Sequence, residues 1–407
     1  MSVLAAGDPL FSHGIDFTVA LIVIVKTIIV FALLLLSVLL YIWFLRKIIA
    51  DMQNRVGPER AGPFGLLQTL ADGIKLFFKE QSMPESADRA VFRLAPYLSI
   101  MPAFLAFAIV PIGGVVTVAG HRTYVQLADF PIGILFLLAM SGIGLYGVML
   151  AGWSSGSKYP LLGSVRASAQ LLSYEAALGL SIVGVLVHTG TLSTRDIVSQ
   201  QAWTGTWGTN VGNWPIWNWL VWPAFVAFFI FVIAAVAETN HPPFDLVEAE
   251  QELVGGFHTE YTGIRFAIFY LAEFMNLITM SAIAVTLFLG GPAGPHMPGL
   301  AANGWFNAWV MPIFWFMLKV IVLLFCTVWI RATLPRLRYD QLMDLGWKFL
   351  IEIAFLWLMV SGVIRVAREE HWNLWIVAPV AAVAACLVYG VLYLSIPKRD
   401  ELVEEIR

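Results

Sequence analysis

The chain has few charged residues and very few cysteines. Only 13% of its 407 residues are charged, whereas 59% are hydrophobic. The two cysteines, Cys326 and Cys386, lie far apart inside apolar runs, so the sequence offers neither a disulfide framework nor a CxxC pair. The seven histidines are scattered without metal-ligand spacing. This composition excludes a soluble domain and is typical of a polytopic membrane protein.

The sequence also lacks the motifs of redox chemistry and of nucleic-acid binding. It has no dinucleotide or flavin fingerprint, no haem pair, no iron–sulfur ligand set and no basic patch. Asp8 and Asp16 stand where a signal peptide would have a basic segment, so we do not expect a cleaved leader. We therefore predict no catalytic residue, no metal and no covalently bound cofactor in this chain. If it belongs to an oxidoreductase, the electrons arrive from elsewhere.

Nine apolar runs are each about as long as the 20 residues that a transmembrane helix needs. They lie near 19–45, 94–118, 132–152, 169–190, 219–237, 265–289, 309–331, 348–366 and 373–395. The sequence thus predicts an all-α, polytopic integral membrane protein with about nine transmembrane helices. We find no internal repeat and no soluble lobe, and we expect residues 1–407 to form a single membrane domain.

The basic residues predict the orientation of these helices. If the N-terminus is outside, eighteen of the 24 Lys and Arg residues fall in inner segments and four in outer ones. Cytoplasmic loops are rich in Lys and Arg, so this distribution predicts an outer N-terminus and a cytoplasmic C-terminus.

Residues 64–80 predict an amphipathic helix. Its apolar side chains, such as Leu67 and Phe77, share one arc, while Asp72 and Lys75 lie on the other. With Asp72, Lys75 and Lys79 inside it, the segment is a poor membrane span, and an in-plane helix at the membrane surface fits better. An ordinary surface anchor is the alternative.

The stretch from Glu238 to Glu260 is acidic and has no Lys or Arg, although it falls on the basic, inner side. Its acidic residues are Glu238, Asp245, Glu248, Glu250, Glu252 and Glu260. We predict a helix that begins at Pro242-Pro243 and stops at Gly255-Gly256. At about 100° per residue, Asp245, Glu248 and Glu252 share one face. Glu250 falls on the apolar side, so we expect it to matter more than Glu252. A solvated acidic helix is the alternative.

Six ionisable residues are predicted to lie inside the membrane, away from the basic residues at the span ends, and such residues are functional candidates. They are Lys26, Glu175, Glu238, Glu273, Lys319 and Glu352. Glu175, Glu238 and Glu273 all fall in the inner half on successive spans, so they are candidates for a protonatable chain. The alternative is that each is capped separately. Lys26 and Lys319 are either counter-charges or links to neighbouring subunits.

Four segments resemble one known family. They are QNRVGPERAGPFGLLQTLADGIKLFFKE (53–80), LLGSVRASAQLLSYE (161–175), AETNHPPFDLVEAEQELVGGFHTEY (237–261) and RATLPRLRYDQLMDLGWK (331–348). Over about residues 15–366 the chain resembles the H subunit (mitochondrial subunit 1) family of proton-pumping NADH:quinone oxidoreductase, respiratory complex I. The resemblance assigns 19–366 to a family core of eight spans and makes 373–395 an additional span.

The resemblance implies a translocase subunit in a bacterial cell membrane, with no redox centre of its own. Quinone is the implied substrate, while NADH, FMN and iron–sulfur clusters belong to partner subunits of the soluble arm, and further partners lie in the membrane arm. The residues implied for the quinone chamber are Arg46, Asp72, Arg166, Asp245, Glu248, Glu250 and Glu252. Those implied for the proton path are Glu175, Glu238 and Glu273. The segment 64–80 is implied to lie at the quinone entrance.

Three positions depart from the family pattern: Leu45, Glu59 and His241. His241 replaces the usual arginine, which substitutes a titratable group for a fixed cation. Two other functions remain open on the sequence: the equivalent subunit of a membrane-bound hydrogenase-type complex and, from another class, an ion-coupled secondary transporter. Transporters tend to show inverted repeats, which we do not find.

Overall fold

Long apolar helices form most of the molecule. A computed structural model describes residues 8–11, 14, 16–202, 208–209, 215–247, 250–295 and 305–395. In chain order the helices are α1 (Phe17–Met52), α2 (Gln68–Phe78), α3 (Arg89–Phe107), α4 (Gly133–Ser154), α5 (Lys158–Thr189), α6 (Thr194–Gln201), α7 (Phe225–Glu238), α8 (Glu250–Leu253), α9 (Gly263–Phe288), α10 (Met311–Thr333), α11 (Tyr339–Asp344), α12 (Ile351–Glu369) and α13 (Leu374–Ser395). The strands are short: β1 (Val115–Val118) pairs antiparallel with β2 (His121–Tyr124), and β3 (Gly208–Thr209) pairs parallel with β4 (Gly294–Pro295). The predicted all-α class is confirmed.

Seven helices in the described part of the chain are long and apolar enough to cross a bilayer. They are α1, α3, α4, α5, α9 and two composite helices. A π-helical turn (Phe306–Val310) leads into α10, and another (Leu345–Leu350) joins α11 to α12, which gives continuous helices over Phe306–Thr333 and Tyr339–Glu369. Of the remaining predicted spans, 219–237 corresponds to α7 and 373–395 to α13. The count of nine spans stays a prediction.

Helix α7 is shorter than the predicted span because the chain is irregular before it. The helix has 14 residues, about 21 Å at 1.5 Å per residue. Pro223 restricts the residue before it, and the preceding residues form turns, with Ala224 N bonded to Leu220 O at 2.9 Å. The predicted span 219–237 therefore consists of these turns followed by α7.

Helix directions show that α7 passes through the bundle. A Cβ added to Gly346 would lie 3.2 Å from Ser173 Oγ, and one added to Gly184 would lie 4.0 Å from Trp357 Cδ1. The sequence positions rise together in these two contacts, so α12 runs parallel to α5. Because α7, α9 and α10 lie between them in the chain, parallel directions require three passes, and α7 is one of them.

The predicted span 94–118 is wrong in its second half. Helix α3 ends at Phe107, and 115–118 is the first strand of a hairpin. Pro111, Gly113 and Gly114 disfavour a helix, while the β-branched run after them suits a strand. The turn at Ala119 and Gly120, with φ of +49° and +81°, matches the geometry of two-residue hairpin loops.

The predicted helix over 64–80 begins later than expected. A single turn occupies Pro63–Gly65, and α2 covers eleven residues from Gln68 to Phe78. Gly65 has φ +75°, and a Cβ there would collide with the Pro58 carbonyl, so this turn requires glycine. At about 16 Å the helix is too short to cross a bilayer. Leu67, just before it, and Phe77 and Phe78 on it are exposed.

The helix predicted after Pro242 is also wrong. The chain leaves α7 through Asn240, which has φ +52°, and the Pro242-Pro243 peptide is cis. Neither proline has an N–H to continue a helical ladder. The segment that follows packs inward instead, with Phe244, Leu246 and Val247 buried. Among the described residues of the predicted helix, only Glu250–Leu253 (α8) is helical, and Val254 after it adopts φ +67°.

Candidate functional site

Three glutamates from three helices line one cavity. Glu175 on α5, Glu238 at the end of α7 and Glu273 on α9 lie around a cavity of about 70 Å³, to which α4 contributes Ser141. The remaining lining is partly polar, including Asn240 and Asn276. We call this cavity, with its three carboxylates, the acidic cavity. The sequence placed the three glutamates at similar depth, and the structure brings them together.

Two adjacent small residues of helix α4, Ser141 and Gly142, lie against two of the carboxylates. Ser141 Oγ donates a short hydrogen bond to Glu238 Oε1. A Cβ added to Gly142 would lie 3.5 Å from Glu175 Oε1, so the absence of a side chain leaves room beside Glu175. Glu238 Oε2 is buried and has no hydrogen-bond partner among the described residues. One oxygen of Glu238 is therefore held in place while the other is left for water or a proton.

Glu273 is paired with the histidine that departs from the family pattern. His241 Nδ1 lies 3.3 Å from Glu273 Oε1 and 2.7 Å from Thr239 O. The imidazole also packs edge-on against Phe274, at 5.2 Å between ring centroids. His241 is only 3% exposed. The sequence singled out His241 as a substitution, but its contact with Glu273 is a finding of the structure.

A single amide holds the connection between α7 and α8 against α5. Gln170 Nε2 donates to Ala237 O and to Phe244 O, each at 2.9 Å. The segment is held from another side by Leu337 N, which donates to Pro243 O at 3.2 Å. Sequence reasoning missed Gln170 and Ser141. Gln170 could have been found from the sequence, because it is an uncharged polar residue inside an otherwise apolar span.

Two residues predicted for the quinone chamber form an ion pair between α1 and α2. Arg46 Nη1 lies 2.6 Å from Asp72 Oδ2, and Gln68 Nε2 donates to Asp72 Oδ1 at 3.2 Å. The pair is accessible, with side-chain exposures of 40% and 31%. Trp43 Nε1 donates to Phe64 O at 2.9 Å, which ties the turn before α2 to α1. The amphipathic helix is thereby fixed beside Arg46.

A second ion pair joins α5 to the acidic stretch. Arg166 Nη1 lies 2.6 Å from Glu252 Oε2, and its guanidinium lies 5.7 Å from the ring centroid of Tyr339. The close approach depends on Gly163, because a Cβ there would lie only 2.7 Å from the Gly256 carbonyl carbon. Arg166 and Glu252 are thus brought together.

The predicted common face of the acidic helix is not formed. Asp245 lies in the non-helical part of the stretch and is partly buried. Glu248 lies outside the described residues, as does the side chain of Glu250. Because residues 242–247 are not helical, the predicted face shared by Asp245 and Glu252 is wrong. Glu250 and Glu252 both lie in α8, and the predicted difference between them stays a prediction.

The two intramembrane lysines bind groups of their own chain. Lys26 Nζ lies 3.0 Å from Asp8 Oδ2 and 3.2 Å from Thr123 Oγ1. Lys319 Nζ donates to Leu289 O, Gly291 O and Ala293 O, each at 2.8 Å. Lys26 is therefore a counter-charge, and Lys319 binds the carbonyl oxygens that follow the C-terminal end of α9.

Beside Lys319, the amide of Gln201 joins three segments. Its Nε2 donates to Thr286 O at 3.0 Å, and its Oε1 accepts from Gly290 N at 3.0 Å and from Leu220 N at 3.2 Å. We call Lys319, Gln201 and the backbone groups that they bind the Lys319 cluster. It lies at the end of α9 opposite to the acidic stretch.

Comparisons with known proteins identify the family. A family model described as NADH dehydrogenase matches residues 25–362. The H subunit of NADH-quinone oxidoreductase from Frankia alni is 49% identical over 385 residues, which cover 94% of this chain and 82% of the relative. The H subunit from Frankia casuarinae is 51% identical over 348 residues, covering 86% and 74%. The chain therefore belongs to the NADH dehydrogenase family, in the branch of the H subunits, which are membrane subunits of the NADH-quinone oxidoreductase enzyme.

Proposed function

We propose that this chain forms the quinone chamber and its lipid entrance at the junction with the soluble arm, and that it couples quinone reduction to proton translocation. The observation that carries the proposal is the acidic cavity, where carboxylates from three helices share one space. Its volume, about 70 Å³, is enough for a few water molecules. Water between carboxylates gives protons a path that an apolar helix bundle would otherwise block.

The ion pairs at α2 and α5 support the chamber. Arg46–Asp72 and Arg166–Glu252 place accessible charges beside the short helix α2 and the acidic stretch. Exposed apolar side chains on α2, such as Leu67 and Phe77, provide a surface that suits an isoprenoid tail. In this proposal quinone enters at α2, and its head group is bound among the charged residues of the chamber, which also include Asp245, Glu248 and Glu250.

In this proposal the electrons that reduce the quinone come from partner subunits. The chain belongs to the complex, and we propose that NADH, FMN and the iron–sulfur clusters are bound by soluble-arm subunits that contact this side of the bundle. Adjacent membrane-arm subunits continue the proton path. We further propose a bacterial cell membrane as the location, an outer N-terminus and a cytoplasmic C-terminus, with residues 1–407 as one membrane domain. Both relatives carry quinone in their names, which favours this function over that of a hydrogenase-type complex.

Substitution of the cavity glutamates tests the proton path. Glu175→Gln, Glu238→Gln and Glu273→Gln each keep the shape of the side chain and remove its charge. In assembled complex in inverted membrane vesicles, we expect each to lower NADH-driven quinone reduction or proton uptake on the order of tenfold, since positioned proton-transfer groups contribute at least this much. Reduction of hexacyanoferrate by the soluble arm reports on partner integrity and is expected to stay unchanged.

Glu369→Gln is the matched control. Glu369 is exposed, pairs only locally with Arg365, and lies at the far end of α12, so its substitution is expected to leave both activities unchanged. Full turnover and full pumping in all three cavity variants would overturn the proposed path.

A further inference from the structure

We propose that His241 and Glu273 form a proton-storing pair at the edge of the acidic cavity, in which the Nε2 atom of His241 takes up and returns one proton. This rests on the proposed function, because it adds a member to the proton path, but it is carried by its own geometry.

The first step is the tautomer of His241. Its Nδ1 atom lies 2.7 Å from Thr239 O, and a backbone carbonyl can only accept a hydrogen bond. Nδ1 must therefore carry a hydrogen. In the neutral imidazole the other nitrogen, Nε2, then has a free lone pair and is the site where a proton can bind.

The second step is the environment of Nε2. This atom is buried and has no hydrogen-bond partner among the residues that the structure describes. Buried polar atoms without a partner are rare in folded proteins, and they call for an explanation such as a bound water or a catalytic role.

The third step is the stabilisation of the charged form. Glu273 Oε1 lies 3.3 Å from Nδ1, close enough for an ionised carboxylate to stabilise an imidazolium. Uptake of a proton at Nε2 breaks no bond in the pair: Nδ1–H stays on Thr239 O, and the ring and the carboxylate become a neutral ion pair. Return of that proton restores the neutral ring beside Glu273, whose carboxylate lines the cavity.

The other ionisable groups around the pair lie on the elements that pack against it. Glu238 ends α7, three residues before His241, and its carboxylate also lines the acidic cavity. Across the Phe274 ring, at 5.9 Å between centroids, lies Tyr41 of α1, whose hydroxyl bonds Thr327 of α10. On the α5 side the neighbour is Gln170, which carries no charge.

Two substitutions separate storage of a proton from a structural role. His241→Arg supplies a permanent cation beside Glu273, whereas His241→Gln supplies a neutral group that can still donate to Thr239 O. We expect the pH profile of quinone-linked turnover to lose, in both variants, the inflection that proton exchange at Nε2 gives the wild type. Because neither arginine nor glutamine can take up and return this proton, we expect both variants to lower turnover at the optimum several-fold.

The assay uses the assembled complex, with hexacyanoferrate reduction as the measure of assembly and His121→Gln, on the distant β2 strand, as the matched control. Wild-type pH profiles in both His241 variants would overturn the inference even if the glutamate variants are inactive, since the path would then work without the pair. Fully active Glu175→Gln, Glu238→Gln and Glu273→Gln variants would instead overturn the proposed function. Wild-type turnover in His241→Arg would mean that a fixed charge beside Glu273 is enough, and the inference of proton exchange at Nε2 would fail.

Discussion

The acidic cavity and the Lys319 cluster both bring polar groups into an apolar bundle, but they differ in how completely these groups are hydrogen-bonded. In the Lys319 cluster, the three hydrogens of the ammonium reach three carbonyl oxygens, and the Gln201 amide uses both its nitrogen and its oxygen. In and beside the acidic cavity, Glu238 Oε2 and His241 Nε2 have no partner among the described residues.

This difference separates two uses of buried polarity. A fully bonded group rigidifies the elements that it joins, whereas a partly bonded group keeps a site for water or a proton. The cluster holds α6, α9, α10 and the start of α7 in one arrangement. Glu238, at the other end of α7, keeps one oxygen without a partner among the described residues.

The largest effect is expected at the cluster. Lys319→Met removes the donors and leaves three buried carbonyl oxygens unpaired, each at a penalty of about 1–3 kcal/mol. We expect the amount of assembled complex in membranes to fall several-fold, as measured by native electrophoresis, while the turnover per assembled complex changes little. Lys348→Met, at an exposed lysine, is the control. Normal assembly combined with low turnover would show that Lys319 belongs to the proton path and not to the scaffold.

An intermediate effect is expected at Ser141, where turnover and not assembly should fall. Ser141→Ala removes the hydrogen bond to Glu238 Oε1 but leaves a carboxylate that cavity water can solvate. We expect unchanged assembly and a turnover lowered several-fold, because the orientation of Glu238 is lost. Ser168→Ala, whose hydroxyl bonds only the carbonyl one turn before it in α5, is the control. A loss of assembled complex in Ser141→Ala would mean that the cavity wall is as structural as the cluster.

The smallest effect is expected at the accessible pair of Arg166 and Glu252. Glu252 is 59% exposed, and exposed ion pairs contribute about 0–1 kcal/mol. Glu252→Gln is therefore expected to leave the thermal stability of the purified complex nearly unchanged and to weaken quinone turnover only slightly at physiological salt. A strong loss of turnover would contradict this and indicate that Glu252 contacts the quinone directly.

Sequence reasoning succeeded where one physical constraint dominates. Transmembrane length predicted where the long helices lie, and the depth of Glu175, Glu238 and Glu273 predicted that they meet. The helix after Pro242 was wrong because helix phase cannot register the turn at Asn240 or the inward packing of Phe244. The roles of Ser141, Gln170 and Lys319 depend on contacts between residues far apart in the chain, which periodicity does not encode.

The carbonyl site of Lys319 also has a consequence for the order in which the chain enters the membrane. Lys319 lies at the middle of the continuous helix Phe306–Thr333, where a lysine opposes insertion by about 2.5–3.5 kcal/mol. The oxygens that accept its hydrogens come from residues 289–293, which the ribosome has already made when α10 emerges. We therefore expect α10 to insert as the second half of a hairpin with α9, and Lys319→Met to insert more readily alone while it assembles less well.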